Sequence, residues 1–330
     1  MPDGATGSAD ATIYPGAISL AVMGRASGFL LAGVALVAAA CAGSAAQVDF
    51  SRVEQTPSRT VVSSSSPGVI RMAAAPVLSP LATSDLYQKL ADYMAVKLDR
   101  PVELVLGKTY AEINDLVKSG DVTLALVCTN PYLQGQEEFG MELLTAPEVN
   151  GETSYYSLLI VGRGVRARSL ADLRGTTFAF SDPLSNSGRM APLYQLARMG
   201  ESPDSFFGRT IFTYAHDRSV RAVAEGIVTG AAVDSLVFDY LRRMEPETVE
   251  QVRVVEKWGP FGISPIVVNH RLDPQLKAEL RQLFLAMDED SAGRELLRSL
   301  MVDRFVVPDD SIYDSVREMR SYLREHGLGP

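Results

Sequence analysis

Ser185, Asn186 and Ser187, with Gly188 directly after them, are the residues of this chain best suited to hold a charged group. They close the stretch Ser181-Asp-Pro-Leu-Ser-Asn-Ser-Gly188. Two hydroxyls and an amide supply donors, and the glycine lets a ligand approach the backbone. The apolar run Thr177-Phe-Ala-Phe180 before it reads as a buried strand. Residues 189–199 after it have helical apolar spacing and stop at Gly200. N–H groups in the first turn of a helix have no internal acceptor and carry the positive end of its dipole. A hydroxyl-rich turn at that point makes a cradle for an oxyanion of the phosphate type. The same residues also make an ordinary Ser/Asn helix cap. His216 adds a donor at the same end of the sheet, because it follows a strand over 210–214 and opens a helix. Alone, it equally fits a capped or solvent-facing histidine.

Other polar groups fall near strand ends. Tyr110 and Tyr155 sit where a tyrosine presents an apolar body and one polar tip to a pocket, though both also fit core or rim positions. Asp234, near the end of a short strand over 231–235, either holds a ligand hydroxyl or cation or caps the next helix. Cys128 ends a buried strand and reads as an inert thiol. Trp258, before Gly259-Pro260, reads as packing near a domain crossing. His270 and His326 have no carboxylate or cysteine at ligand spacing, so neither zinc nor another cofactor is expected. The sequence has no Gly-x-Ser-x-Gly elbow, Walker loop or metal-ligand run. No catalytic residue is assigned, and an enzyme is not expected.

The elements that must carry these residues alternate. Strands are expected over 69–75, 102–106 and 122–127, with an amphipathic helix over 86–98 capped by Ser84 and a second helix over 110–117 stopped by Gly120. Strand, helix, strand, helix, strand implies parallel pairing with crossover helices, and ligands then bind beyond the carboxyl ends of the strands. Those ends carry Lys108-Thr-Tyr110 and Cys128-Thr-Asn130. A second α/β block begins with the strand 155–161 and holds the Ser185 stretch and His216. Further strands are expected over 252–255 and 264–268, with closing helices over 276–287 and 316–323.

The chain has 330 residues, a formal net charge of -9 and two cysteines, Cys41 and Cys128. That is long enough for two cores and excludes a disulfide framework. The acidic balance, with no basic aromatic-interleaved patch, excludes nucleic acid as the partner. Residues 28–40 are apolar and uncharged, short for a membrane span but of the length of a signal-peptide core, with Arg25 as the positive flank. Met23 is the better start for such a signal. Cys41 follows Ala38-Ala-Ala40, which resembles the lipobox of bacterial lipoproteins although Ala38 replaces the usual leucine. Residues 1–41 are therefore expected to be a signal peptide, ending at a lipidated Cys41 or else cut nearby at a small-residue site to release a soluble protein. Residues 42–67, with Ser63-Ser-Ser-Ser66, read as a flexible tether holding a globular body outside the cytoplasm, in the periplasm or at the outer face of the membrane.

A longer pattern runs through the body. Thr153-Ser-Tyr-Tyr-Ser-Leu-Leu-Ile-Val161, Ser169-Leu-Ala-Asp-Leu-Arg-Gly175 and Thr177-Phe-Ala-Phe-Ser-Asp-Pro-Leu-Ser-Asn-Ser-Gly188 follow one another. Ala215-His-Asp217, Ala222-Val-Ala-Glu-Gly226 and Ala232-Val-Asp-Ser235 come next. This order, together with Lys108-Thr-Tyr-Ala-Glu-Ile113, resembles the phosphate/phosphite/phosphonate-binding proteins of bacterial ABC importers over residues 68 to about 302.

The resemblance implies an α/β, two-lobed periplasmic-binding-protein fold, type II-like, each lobe a mixed, mostly parallel sheet flanked by helices. Two hinge crossings would divide it into 68–152 (first lobe), 153–255 (second lobe) and 256–330 (completion of the first lobe and C-terminal helices). It implies that Ser185, Asn186, Ser187, Gly188 and His216 hold the oxyanion, with Tyr110 and Tyr155 in the pocket and Asp234 nearby. Partners would be an ABC permease and ATPase, and the body a monomer. Members that bind aminoethylphosphonate use two acidic residues for its ammonium; the aligned positions here are Leu236 and Ser264. The expected cargo is therefore phosphite, phosphate or a small alkylphosphonate. Two other readings stand beside this one. A binding protein or sensor subunit for a different small ligand would ignore these anions, and an enzyme on phosphorylated substrates would turn over phosphate esters.

Overall fold

A computed structural model of the chain describes residues 68–329. Cys41, Met23 and the tether over 42–67 lie outside the described residues. In chain order the strands are β1 (Ile70–Ala74), β2 (Val102–Leu106), β3 (Leu124–Leu126), β4 (Met141–Glu148) and β5 (Ser154–Gly162). They continue as β6 (Thr177–Phe180), β7 (Arg209–Phe212), β8 (Gly230–Asp234), β9 (Val252–Gly262), β10 (Ile266–Asn269) and β11 (Arg304–Val306).

Two sheets form. The first has the order β11-β4-β10-β3-β1-β2, the second β7-β6-β8-β5-β9. The chain leaves the first sheet after β4 and returns to it at β10, so it crosses between lobes twice, as expected. The return comes later than the 255/256 boundary, because β9 pairs antiparallel with β5 as far as Gly262. Parallel pairing is also narrower than expected. It is confined to β2-β1-β3 and β7-β6-β8. The other strands pair antiparallel. The strands that enter a sheet from the other lobe, β5 and β10, run against their neighbours and need no crossover helix, and the edge strands β9 and β11 add further antiparallel pairs.

Local chemistry sets the helices that matter for the cleft. The helix Tyr110–Ser119 starts where the Thr109 hydroxyl accepts from Glu112 N–H at 3.2 Å and stops at Gly120, whose φ is +81°. Its Ile113 and Val117 are buried. The helix Pro80–Leu98 begins earlier than the expected cap Ser84, which lies inside it. A proline in the first turn needs no N–H partner, so the helix can start there behind Ser79. Helices Thr129–Phe139 and Ser291–Leu300, and strands β4 and β11, escape the sequence reading. The first of these helices contains Pro131 and Gly135; the proline sits in the first turn, and Tyr132 and Leu133 bury the inner face. One buried cluster runs through both lobes, joining Tyr110, Cys128 and Tyr132 to Tyr155, Phe178 and Phe180.

Candidate functional site

The hydroxyl-rich turn follows directly from β6, whose Phe178, Ala179 and Phe180 are buried. Ser181 N–H donates to Gly188 O at 3.3 Å, closing the turn on itself. The Ser185 hydroxyl accepts from Gly188 N–H at 2.9 Å, which is the capping geometry. The next bonds are wider than an α-helix makes. Met190 N–H donates to Ser185 O, and Ala191 N–H to Asn186 O, five residues back in each case. Asn186–Met190 is therefore a single π turn that leads into the α-helix Ala191–Arg198. Gly188 has no substitute here. A Cβ on it would lie 1.7 Å from Ser181 Oγ and 2.9 Å from His216 Cε1.

His216 opens the helix His216–Ala224 and is fully buried. Its own N–H donates across to Val77 O of the first lobe at 3.0 Å. Asp234 N–H donates to its Nδ1 at 3.1 Å. A ring nitrogen that accepts carries no proton, so the neutral imidazole holds its hydrogen on Nε2. Nε2 stands 3.3 Å from Ser185 Oγ and 3.4 Å from Ser181 Oγ. Burial lowers the imidazole pKa from its ordinary 6.5 to about 4, against a smaller opposing pull from Asp217. His216 is thus a neutral donor aimed into the turn.

Of the two roles open to Asp234, the side chain performs the cap. Its Oδ1 accepts from Leu236 N–H at 2.7 Å and Val237 N–H at 3.4 Å, at the start of the helix Ser235–Met244. Burial raises this carboxyl from 3.8 to about 7. The Tyr155 hydroxyl accepts from Asn186 Nδ2 at 2.9 Å, and the Thr129 hydroxyl, 3.5 Å away, faces it from the first lobe. Cys128 is buried, and burial pushes its thiol up to about 11.

Three polar atoms here are buried without any partner: Tyr110 Oη, Ser187 Oγ and Asn186 Oδ1. Leaving one such group unsatisfied costs about 1–3 kcal/mol. Tyr110 comes from the first lobe, Asn186 and Ser187 from the second. The tyrosine hydroxyl titrates well above its usual range because it is buried and feels Cys128, Asp182, Asp234 and Tyr155 around it. All eight residues marked in the sequence therefore gather at one place on the cleft.

Several neighbours escape sequence reasoning. Ser181 shares His216 Nε2 with Ser185. Asp182 accepts from Leu184 N–H at 2.8 Å with one oxygen, and with the other from Tyr110 N–H across the cleft at 3.2 Å. Asp217 accepts from Ser79 N–H at 2.8 Å and the Ser79 hydroxyl at 2.6 Å, and is paired with Arg221 at 2.7 Å. Asn130 Nδ2 donates to Leu184 O at 2.8 Å. Two carboxylates of the second lobe thus meet two helix starts of the first, where the dipole favours them. The sequence signals are positional: Asp182 lies inside the serine stretch, Asp217 follows His216, and Asn130 sits at a strand end where ligands bind.

A family model described as "ABC transporter, phosphonate, periplasmic substrate-binding protein" matches residues 72–313, which hold all of these side chains. The chain belongs to this phosphonate-binding family. A curated relative, the phosphonates-binding periplasmic protein of Escherichia coli (strain K12), is 25% identical over 183 residues. The match covers 54% of this chain and 54% of that protein, so the chain spans about half the length of this relative. Among solved structures, a binding protein component of an ABC phosphonate transporter from Pseudomonas aeruginosa superposes with a TM-score of 0.75 at 22% identity. It covers 79% of this chain and 88% of that one. A Prochlorococcus marinus (MIT 9301) protein solved with methylphosphonate has a TM-score of 0.72 at 17% identity, covering 79% and 99%. These likenesses establish the two-lobed fold. The family is one of substrate-binding components of transporters. Among the described residues, no helix is long and apolar enough to cross a membrane.

This member of the phosphonate-binding family has a second feature beside the turn. A cavity of about 220 Å³ lies between the lobes and is lined mostly by hydrocarbon. Leu236 and Ser264 both line it.

Proposed function

We propose that this protein is the extracytoplasmic solute-binding component of an ABC importer, taking a small phosphorus oxyanion (phosphite, phosphate or an alkylphosphonate) into the cleft between its lobes. The observation that carries the reading is the set of buried, unpartnered hydroxyls, Tyr110 Oη and Ser187 Oγ, beside a neutral His216 whose Nε2–H faces Ser185. These donors are uncharged and already ordered. They suit an anion that sheds its water on entry, because hydrogen bonds to a charged acceptor are about twice as strong as neutral ones. The first lobe supplies Tyr110 and the second supplies the serines and His216. A ligand that touches both sides favours the closed pair of lobes, which is how binding drives a hinge. Delivery to a permease and its ATPase, and attachment to the membrane through a lipid on Cys41, complete the reading.

Titration calorimetry of the purified protein with phosphate, phosphite, methylphosphonate and aminoethylphosphonate tests it. We expect one of the first three to bind tightly and Ser187→Ala and His216→Ala to weaken that binding. If aminoethylphosphonate bound more tightly than the other three, the assignment of an amine-free anion would fail. If none of the four bound, a different small ligand would take its place.

A further inference from the structure

We propose that the cavity beside the cradle receives the organic substituent of the ligand, and that this protein therefore prefers a phosphonate bearing an uncharged hydrocarbon group of about four to six carbons over phosphite or methylphosphonate. This inference rests on the oxyanion reading of the cradle and deepens it.

Connection is the first support. The cavity and the cradle share structural members. Asp234 lines the cavity, and its main-chain N–H holds His216 Nδ1 at 3.1 Å. Val77 lines the cavity, and its carbonyl accepts the His216 N–H at 3.0 Å. Cavity and cradle are thus neighbours, one residue apart, with His216 bonded to the cavity wall through Nδ1 and its main chain and to the serines through Nε2.

Size and lining are the second. The cavity measures about 220 Å³. A dry, hydrocarbon-lined cavity of about 150 Å³ already accepts benzene. A phosphite has nothing to place there, and a methyl group fills little of it. Val77 and Leu126 come from the first lobe, Leu236 and Val237 from the second, and Ile263 and Pro265 from the segment joining β9 to β10. A hydrocarbon seated among them contacts both lobes and so favours closure in addition to what the oxyanion contributes.

Charge is the third. Two carboxylates border the cavity, Asp234 and Asp239. Asp234 Oδ1 takes two N–H groups at the start of its helix, and Asp239 is paired with Arg242 at 2.6 Å. One oxygen of each already has its donors, and most of the rest of the lining is hydrocarbon.

The test is calorimetric titration of the purified protein with phosphite, methylphosphonate, butylphosphonate, phenylphosphonate and aminoethylphosphonate, on the parent and on Leu236→Gln. Full burial is worth about fourfold in affinity per methylene, so butylphosphonate is expected to bind on the order of tenfold or more tighter than methylphosphonate. The Leu236→Gln change is expected to shrink that ratio; should the variant not fold, the parent series decides alone. A flat or falling series from methyl to butyl and phenyl, with phosphite or methylphosphonate still bound, would overturn this inference and leave the cradle reading intact. Tighter binding of aminoethylphosphonate than butylphosphonate would overturn it as well. No binding by any of the five would overturn the cradle reading and this inference with it.

Discussion

Around His216 the cleft is built from donors, and around Leu236 from hydrocarbon. The donor side is held at many points. Its serines are positioned by a π turn, its imidazole tautomer by Asp234 N–H, and its backbone path by the bare Gly188. The hydrocarbon side is lined mostly by side chains that offer only packing, and it has space left over. The difference follows from the forces involved. Hydrogen bonds to an anion demand distance and direction, whereas burial of a hydrocarbon asks only for area and a dry wall. Recognition of the charged group should thus be brittle, and recognition of its substituent graded.

Gly188→Ala should break the donor side most completely. Its new methyl overlaps Ser181 Oγ and crowds His216 at once. We expect no measurable oxyanion binding by calorimetry and a melting point lower by several degrees. Normal binding in this variant would show that the turn is softer than described.

Asp217→Ala comes next. It removes both oxygens that join Ser79 of the first lobe and Arg221 of the second to the residue after His216. Breaking a buried charge network of this kind costs about 3 kcal/mol. Urea unfolding should show a loss near that size, and an unchanged midpoint would remove Asp217 from the structure's supports.

Ser187→Ala separates stability from binding. Its hydroxyl has no partner in the cleft, so its removal should leave the ligand-free protein unchanged or up to about 1 kcal/mol more stable. Binding of the oxyanion should weaken on the order of ten- to a hundredfold, the loss of one hydrogen bond to a charged group. A fall in stability together with unchanged affinity would make Ser187 structural only.

The smallest expected signal is the pH dependence of the parent, because two buried groups oppose each other. Folding lowers the His216 pKa from 6.5 to about 4. Its contribution is fully present above pH 6.5 and is lost as the pH falls toward 4, by up to about 3 kcal/mol. Folding raises the Asp234 pKa from 3.8 to about 7. Its contribution is fully present below pH 3.8 and is lost as the pH rises toward 7, by a similar amount, about 4 kcal/mol. Between pH 4 and 7 the two slopes nearly cancel. Denaturant unfolding across that range should be almost flat for the parent, should fall with pH in His216→Ala, and should rise with pH in Asp234→Asn, where the amide still caps the helix. Parallel curves for all three proteins would mean that neither group titrates as its burial requires.

The cradle was legible because it is contiguous. Eight residues from Ser181 to Gly188 contain strand end, turn and helix start, and each piece depends only on its near neighbours. His216 was legible by position, at the end of a strand on the same edge. The two readings of Asp234 could not be separated, because a cap and a ligand contact use the same carboxylate in the same place. The late return to the first lobe was hidden as well, since Trp258-Gly-Pro260 looks like a break and β9 continues through it.

The amino-acid sequence by itself determined the alternation of strands and helices, the donor-rich turn, and the family to which both belong. Periodicity, turn chemistry and capping act over a few residues, and they survive without knowledge of the rest of the chain. Only the tertiary structure decided what lies opposite. Tyr110 meets Asp182 across 72 positions of sequence, and Ser79 meets Asp217 across 138. Such pairs are set by how the two crossings bring one lobe over the other, which no local preference encodes. The same approach of the lobes buries the Tyr110 and Ser187 hydroxyls without partners and leaves hydrocarbon-lined space next to Asp234 and Val77, which hold His216.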